Sequence, residues 1–239
     1  MTRGGKGTLE DKLLGLSRRK RSRLIIAIDY LEGVDQISRL LEELGDLVVA
    51  AKLGIATAIS LGRDELAKLI EKFGETIYFI SDLKLADIPE VTLRNLEVIT
   101  DMGFDGSIIH LFPMGYEGVA AWAAERGHDL FGVAMMSHPG CMLFEKNFDS
   151  FLDYSRKLGL RGVVIGATRA EKIKEARARL GSNSIIISPG VGVQGAVAGA
   201  ALRCGADFEI VGRSIVLSRN PREAAEAIVA EQRRWLHDN

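Results

Sequence analysis

From Leu24 onward the chain alternates two kinds of hydrophobic pattern. Short, nearly continuous apolar runs occupy 24–29, 47–53, 77–84, 106–111, 130–135, 162–166, 184–188 and 208–212. Between them apolar residues return every three or four positions, over 34–44, 65–73, 91–102, 117–126, 149–158, 169–180 and 196–204, and a last such stretch, 221–235, closes the chain. Continuous apolar runs suit strands buried on both faces, the condition of a parallel sheet, and the longer spacing suits helices that cover it. Eight strand–helix units predict a parallel sheet closed on itself, a single-domain α/β protein of the (β/α)8 TIM-barrel class spanning 24–239. An open doubly wound sheet fits less well, because no dinucleotide-binding glycine fingerprint follows the first strand. Residues 1–23 read as an N-terminal extension: a short helix over 9–16, then the basic cluster Arg18-Arg19-Lys20-Arg21-Ser22-Arg23. A solvated helix end accounts for that cluster, since the macrodipole favours cations there, and no function is assigned to it.

Size and charge narrow the ligand class. With 239 residues and 47% hydrophobic content, one core can bury roughly 70–75% of the unfolded surface. A net charge of −1 gives no whole-chain field that would favour nucleic acid or a membrane as partner, which leaves small diffusible ligands. Cys141 and Cys204 are too few for a disulfide framework or a metal cluster, and they fit a reducing cytoplasm. No run of about 18 apolar residues and no signal-peptide core is present.

In a barrel of this kind the loops after the strands build the site, so the polar residues at strand carboxyl ends are the informative ones. The densest group is Asp82-Leu83-Lys84-Leu85-Ala86-Asp87-Ile88-Pro89. Strand alternation places Asp82 and Lys84 on one face, Asp87 follows in the loop, and Pro89 ends the strand. A structural salt bridge is the plain alternative; a polar site is the better reason to set charges against an apolar strand end. Asp29, Lys52 and Ser137 occupy the same rim. The turn Ser188-Pro189-Gly190-Val191-Gly192-Val193-Gln194-Gly195 and the pair Gly212-Arg213 end the seventh and eighth strands, where glycines admit backbone N–H groups to an anion and Arg213 adds a fork of donors. A phosphate monoester is therefore expected. His110 reads as a strand-end hydrogen-bonding residue, and His138 and Cys141 as loop residues.

Those two motifs, with Ile210-Val211-Gly212-Arg213-Ser214-Ile215, resemble the orotidine 5′-monophosphate decarboxylase family over nearly all of 24–235. The resemblance implies a metal- and cofactor-independent carboxy-lyase of pyrimidine biosynthesis whose catalytic set is Lys84, Asp82, Asp87 and Lys52. Lys84 would protonate the pyrimidine carbon that loses carbon dioxide, with Asp82 beside the departing carboxylate. Asp29 and Lys52 would meet the ribose hydroxyls, and Ser137 and Gln194 the pyrimidine. Gln194 and Arg213 would hold the phosphate, within turns that include Pro189, Gly190 and Gly212. Asp87 and Ile88 would serve the neighbouring subunit of a homodimer. One position departs from the family pattern: four residues after Asp87 stands Val91, with Thr92 next, so Thr92 inherits no role. Two other readings share the rim. A magnesium-dependent sugar-phosphate aldolase or decarboxylase would need a glutamate near Lys52, and a non-catalytic phosphometabolite-binding barrel would not need Asp82, Lys84 and Asp87 together.

Overall fold

The structure, a computed structural model, describes residues 11–31 and 33–237. Eight strands form a closed barrel in chain order: β1 (Leu24–Ile28), β2 (Ala50–Gly54), β3 (Tyr78–Leu85), β4 (Gly106–His110), β5 (Asp129–Met135), β6 (Gly162–Ile165), β7 (Ile185–Pro189) and β8 (Phe208–Val211). All neighbours are parallel, and β1 pairs with both β2 and β8. β1, β2, β6 and β8 are buried along their whole length, which is why their sequences carry no polar alternation.

The helices are α1 (Lys12–Lys20), α2 (Val34–Leu44), α3 (Ile55–Phe73), α4 (Pro89–Asp101), α5 (Glu117–Arg126), α6 (Met142–Lys157), α7 (Ala170–Leu180), α8 (Ala200–Arg203), α9 (Arg213–Val216) and α10 (Pro221–His237). Helix α1 is capped by Asp11, whose carboxylate accepts from the Leu14 N–H, and it buries Leu13 and Leu16. Its cations reach the amino ends of the strands: Lys12 pairs with Asp105, just before β4, and Lys20 donates to the carbonyls of Val48 and Thr76, just before β2 and β3. This helix therefore covers the end of the barrel opposite the strand carboxyl ends. Of the helix anticipated over 9–16, Leu9 and Glu10 lie outside the described residues; the rest begins at Lys12 and runs on through Arg18, Arg19 and Lys20.

Four elements differ from the sequence reading. Helix α3 starts at Ile55 instead of 65, bent at Gly62 (φ 72°, ψ 173°), and its added first turns expose Ile55 and Ile59, so they lack an amphipathic pattern. Helix α6 likewise starts at Met142 instead of 149, with Met142 and Leu143 facing outward. The helix expected over 196–204 shrinks to α8, because Gly195 and Gly199 adopt positive φ and keep the preceding residues in a loop. Helix α9 is one turn long, too short to leave a periodic signal.

Candidate active site

The charged rim residues assemble at the carboxyl end of the barrel. Asp29 follows β1, Lys52 projects from β2, and Asp82 and Lys84 from β3. The Lys52 ammonium lies 2.9 Å and 3.2 Å from the two oxygens of Asp29, and 2.9 Å from Asp82 Oδ2. The other oxygen of Asp82 accepts from Lys84. The result is a chain of alternating charge, Asp29–Lys52–Asp82–Lys84. Gly54, at the end of β2, leaves room for it: a Cβ there would collide with the Asp29 carboxylate.

Burial is deepest in the middle of the array and falls away at both ends, Asp29 being partly exposed. The side chains of Lys52 and Asp82 are 7% and 8% exposed, whereas that of Lys84 is 52% exposed. Burial alone would lower the pKa of Lys52, but Asp82 and Asp29 outweigh it and the net shift is upward. Asp82 shows the converse: burial pushes its carboxyl up, and Lys52 and Lys84 together bring it below the usual carboxylate range. Both groups are thus held ionised.

The Asp82–Lys84 contact arises by a route that strand alternation does not describe. Lys84 has φ +56°, and the pairing of β3 with β4 shifts register between Ser81 and Leu85. A non-glycine residue in the left-handed region is a strained position, here at the point where an ammonium must turn back into the cleft.

One cleft gathers Asp29, Lys52, Asp82 and Lys84 with Ser137, Pro189, Gly190, Gln194, Gly212 and Arg213. Gly190 and Gly192 have φ of 105° and 84°, and a Cβ at Gly190 would lie 2.8 Å from the Gln194 side-chain oxygen. Arg213 opens α9 beside Gly212. Thr168 and Arg169 fix the Ser137 loop by donating to the carbonyls of Ser137 and His138, at 2.8 Å and 2.9 Å. Ser188 is fully buried and does not line the cleft.

Asp87 and Ile88 do not line this cleft. The Asp87 carboxylate accepts from the Ile88 N–H at 2.8 Å, and Ile88 is exposed. The Asp87 carbonyl is held from within, by the hydroxyls of Tyr116 at 2.7 Å and Thr92 at 3.1 Å. Thr92 is thereby used inside the fold, fully buried, while Val91 faces outward.

Several wall residues were not singled out as site residues by the sequence, among them Tyr30, Met136 and His110. Tyr30 and Met136 flank Asp29 and Ser137 in the chain and also line the cleft, so adjacency to a rim residue was the available signal. His110 lines it too, but the strand-end hydrogen bond anticipated for it is missing: Nδ1 is buried with no partner among the described residues. Burial, and then Lys84, lower its pKa and favour the neutral ring. His138 lies in the loop after β5 as anticipated, and Cys141 is the buried last residue of that loop, just before α6.

A closed (β/α)8 barrel that sets an alternating lysine–aspartate array against glycine-rich turns and an arginine defines a class of barrel enzymes acting on phosphorylated small molecules. The family model described as Orotidine 5′-phosphate decarboxylase / HUMPS family matches residues 22–228. The orotidine 5′-phosphate decarboxylase of Pyrococcus furiosus is 34% identical over 213 residues, covering 89% of this chain and 98% of that protein. Its counterpart from Pyrococcus abyssi is 37% identical over 211 residues, covering 88% and 99%. The crystal structure of orotidine 5′-monophosphate decarboxylase from Sulfolobus solfataricus superposes with a TM-score of 0.80 at 29% identity, covering 90% of this chain and 99% of that one. That of the Methanocaldococcus jannaschii enzyme, complexed with the inhibitor BMP, gives 0.79 at 29% identity, covering 88% and 98%. The chain belongs to the orotidine 5′-phosphate decarboxylase / HUMPS family.

Proposed function

We propose that this chain converts orotidine 5′-monophosphate to uridine 5′-monophosphate and carbon dioxide in pyrimidine biosynthesis, with 24–239 as one catalytic barrel and no metal or cofactor. The observation that carries the reading is the ordered array Asp29–Lys52–Asp82–Lys84 in one cleft with the Gly190–Gln194 turn and Arg213. Heterolysis of the ring-carbon–carboxylate bond leaves its electron pair on a carbon that delocalises it poorly. Lys84, the more exposed end of the array, supplies the ammonium beside that carbon and then the proton, and it is reprotonated from solvent. At about 4 Å and an effective dielectric near 20, one such contact is worth on the order of 4 kcal/mol as charge develops. Enzymes supply roughly 8–23 kcal/mol, so other interactions must add to it. Asp82, held ionised beside the substrate carboxylate, disfavours the ground state. Asp29 and Lys52 take the ribose hydroxyls, Ser137 and Gln194 the pyrimidine, and Gln194 and Arg213 the phosphate, whose binding energy is available to hold the substrate in that costly arrangement.

Lys52 also supports the metal-independent reading. Its ammonium sits 2.9 Å from an oxygen of each of Asp29 and Asp82, so a divalent cation between those carboxylates would have to displace a buried positive charge.

The active site is completed in a homodimer, with Asp87 and Ile88 lent to the partner. Support comes from their outward position and from a band of exposed apolar side chains on the segments after β2 to β5, namely Ile55, Ile59, Ile88, Val91, Phe112 and Met142. A cytoplasmic location belongs to the same proposal and agrees with both cysteines being free thiols. No helix among the described residues is long and apolar enough to cross a membrane.

The test is to follow the ultraviolet absorbance of orotidine 5′-monophosphate with purified protein in excess chelator and to identify the product. Steady conversion to uridine 5′-monophosphate supports both the reaction and its metal independence. No conversion in chelator, together with turnover of a hexulose phosphate when magnesium is added, would assign the chain to the aldolase reading instead.

A further inference from the structure

We propose that Glu209 is a positioning residue for phosphate recognition, its buried carboxylate fixing the return of the Gly190–Gly199 loop relative to the strand that presents Arg213. The proposal rests on the reading of Gln194 and Arg213 as phosphate ligands. Glu209 lies in β8, three residues before Gly212, and is fully buried on the outer side of the barrel, away from the cleft. A carboxylate in such a place needs donors, and three converge on it. Its Oε2 accepts from the Gly199 N–H at 2.9 Å and from Gln232 Nε2 at 3.0 Å, and its Oε1 from the Ala201 N–H at 3.2 Å. Gln232, in α10, is itself fully buried and accepts from the Arg23 N–H with its own oxygen.

Both ends of the loop meet at this residue. The loop leaves β7 at Pro189, one position beyond Ser188, the register partner of Glu209. It returns at Gly199, whose N–H the Glu209 carboxylate holds. Gly199 has φ +83°, and a Cβ there would collide with the Trp235 indole, so the return point is closely set. Between these ends Gly192, Val193, Gln194 and Gly195 are exposed, tied within the loop by backbone bonds such as Gly192 N–H to the Ala196 carbonyl at 2.8 Å. The outgoing end is tied to β8 by strand pairing, and Glu209 is the side chain that ties the return end to the same strand. No feature of the chemistry requires a carboxylate at that outer position.

Glu209→Gln keeps the volume but puts an NH2 group against a backbone N–H in either orientation of the amide. Binding of uridine 5′-monophosphate and of uridine is measured by calorimetry, with KM and kcat for orotidine 5′-monophosphate, in the wild type, Glu209→Gln, Arg213→Ala and the double variant. One buried donor left facing a donor predicts a loss on the order of tenfold in uridine 5′-monophosphate affinity and a matching rise in KM. Uridine affinity stays within about twofold, and kcat changes less than KM. In the Arg213→Ala background the loss shrinks, because the two residues act on one group of the ligand. Gln232→Met, which removes a donor to Glu209, repeats the effect at smaller size and keeps the test available if Glu209→Gln folds poorly. A folded Glu209→Gln or Gln232→Met protein that binds both ligands as the wild type does, or that loses both equally, overturns the positioning role. A wild type that binds uridine as tightly as its monophosphate overturns the phosphate reading, and the positioning role with it.

Discussion

Replacing Lys52 by methionine tests whether the array is held by its buried cation. The substitution keeps an unbranched apolar stem of similar length and removes only the ammonium. At 2.9 Å and an effective dielectric of 20, each of its contacts with Asp29 and Asp82 is worth about 6 kcal/mol before desolvation is counted. Desolvation cancels much of that sum, and breaking a buried pair typically leaves a net loss of about 3–5 kcal/mol, here because the buried Asp82 keeps only the half-exposed Lys84 of its two lysine partners. For a chain of this size that corresponds to a fall in Tm of roughly 6–20 °C. Differential scanning calorimetry near neutral pH reads it directly. Asp82→Asn added to Lys52→Met removes that buried charge, so the double variant recovers part of the loss. A single variant that melts within about 2 °C of the wild type, or a double variant less stable than the single, would refute the argument.

Three further outcomes follow from particular contacts. Arg213→Ala weakens binding of uridine 5′-monophosphate and leaves uridine nearly unaffected; equal losses on both would remove Arg213 from the phosphate site. His128 is buried, with Nδ1–H donating to the Phe104 carbonyl and Nε2 accepting from Ser107, and burial lowers its pKa from 6.5 to about 4. A ring that stays neutral when folded but binds a proton when unfolded gives full stability above pH 6.5 that is lost as pH falls toward 4, by roughly 3 kcal/mol; urea titrations across that range should show it, and His128→Asn should flatten the slope. Refolding a mixture of the Lys84→Ala and Asp87→Ala proteins, each nearly inactive alone, restores activity if Asp87 serves the partner's site; silence in verified mixed dimers would place Asp87 in its own subunit's site.

Much of the barrel was legible because its strands are buried on both faces, so runs such as Leu24-Ile25-Ile26-Ala27-Ile28 signal themselves without alternation. The elements misplaced in the sequence are those whose side chains break the usual link between apolarity and burial. Ile59 and Met142 are apolar and exposed, which hid the first turns of α3 and α6, and Val197 gave an apparently helical stretch that is loop. The rim residues were legible individually, since each ends a strand. Their connection was not: that Lys52 bridges Asp29 and Asp82 depends on the register of β2 against β1 and β3, a long-range property. Alternation put Asp82 and Lys84 on one face, but their contact comes from the positive φ of Lys84 and the register shift in β3, which no pattern of side chains reveals. Thr92 illustrates the opposite limit. A one-residue shift in the motif left its hydroxyl without a role in the sequence, and the fold shows it donating to the Asp87 carbonyl beside the hydroxyl of Tyr116, 24 residues away.

The central claim is that Lys84 delivers the proton while the phosphate and ribose are held elsewhere in the cleft. The direct measurement is turnover of orotidine 5′-monophosphate by Lys84→Ala, paired with calorimetric binding of uridine 5′-monophosphate to the same protein. Loss of a positioned acid costs ~10² to 10⁴ in rate, so the account predicts kcat reduced at least a hundredfold with product affinity within a few-fold of wild type. A Lys84→Ala enzyme that keeps more than about a hundredth of wild-type turnover, or that loses turnover and product binding together, would contradict it.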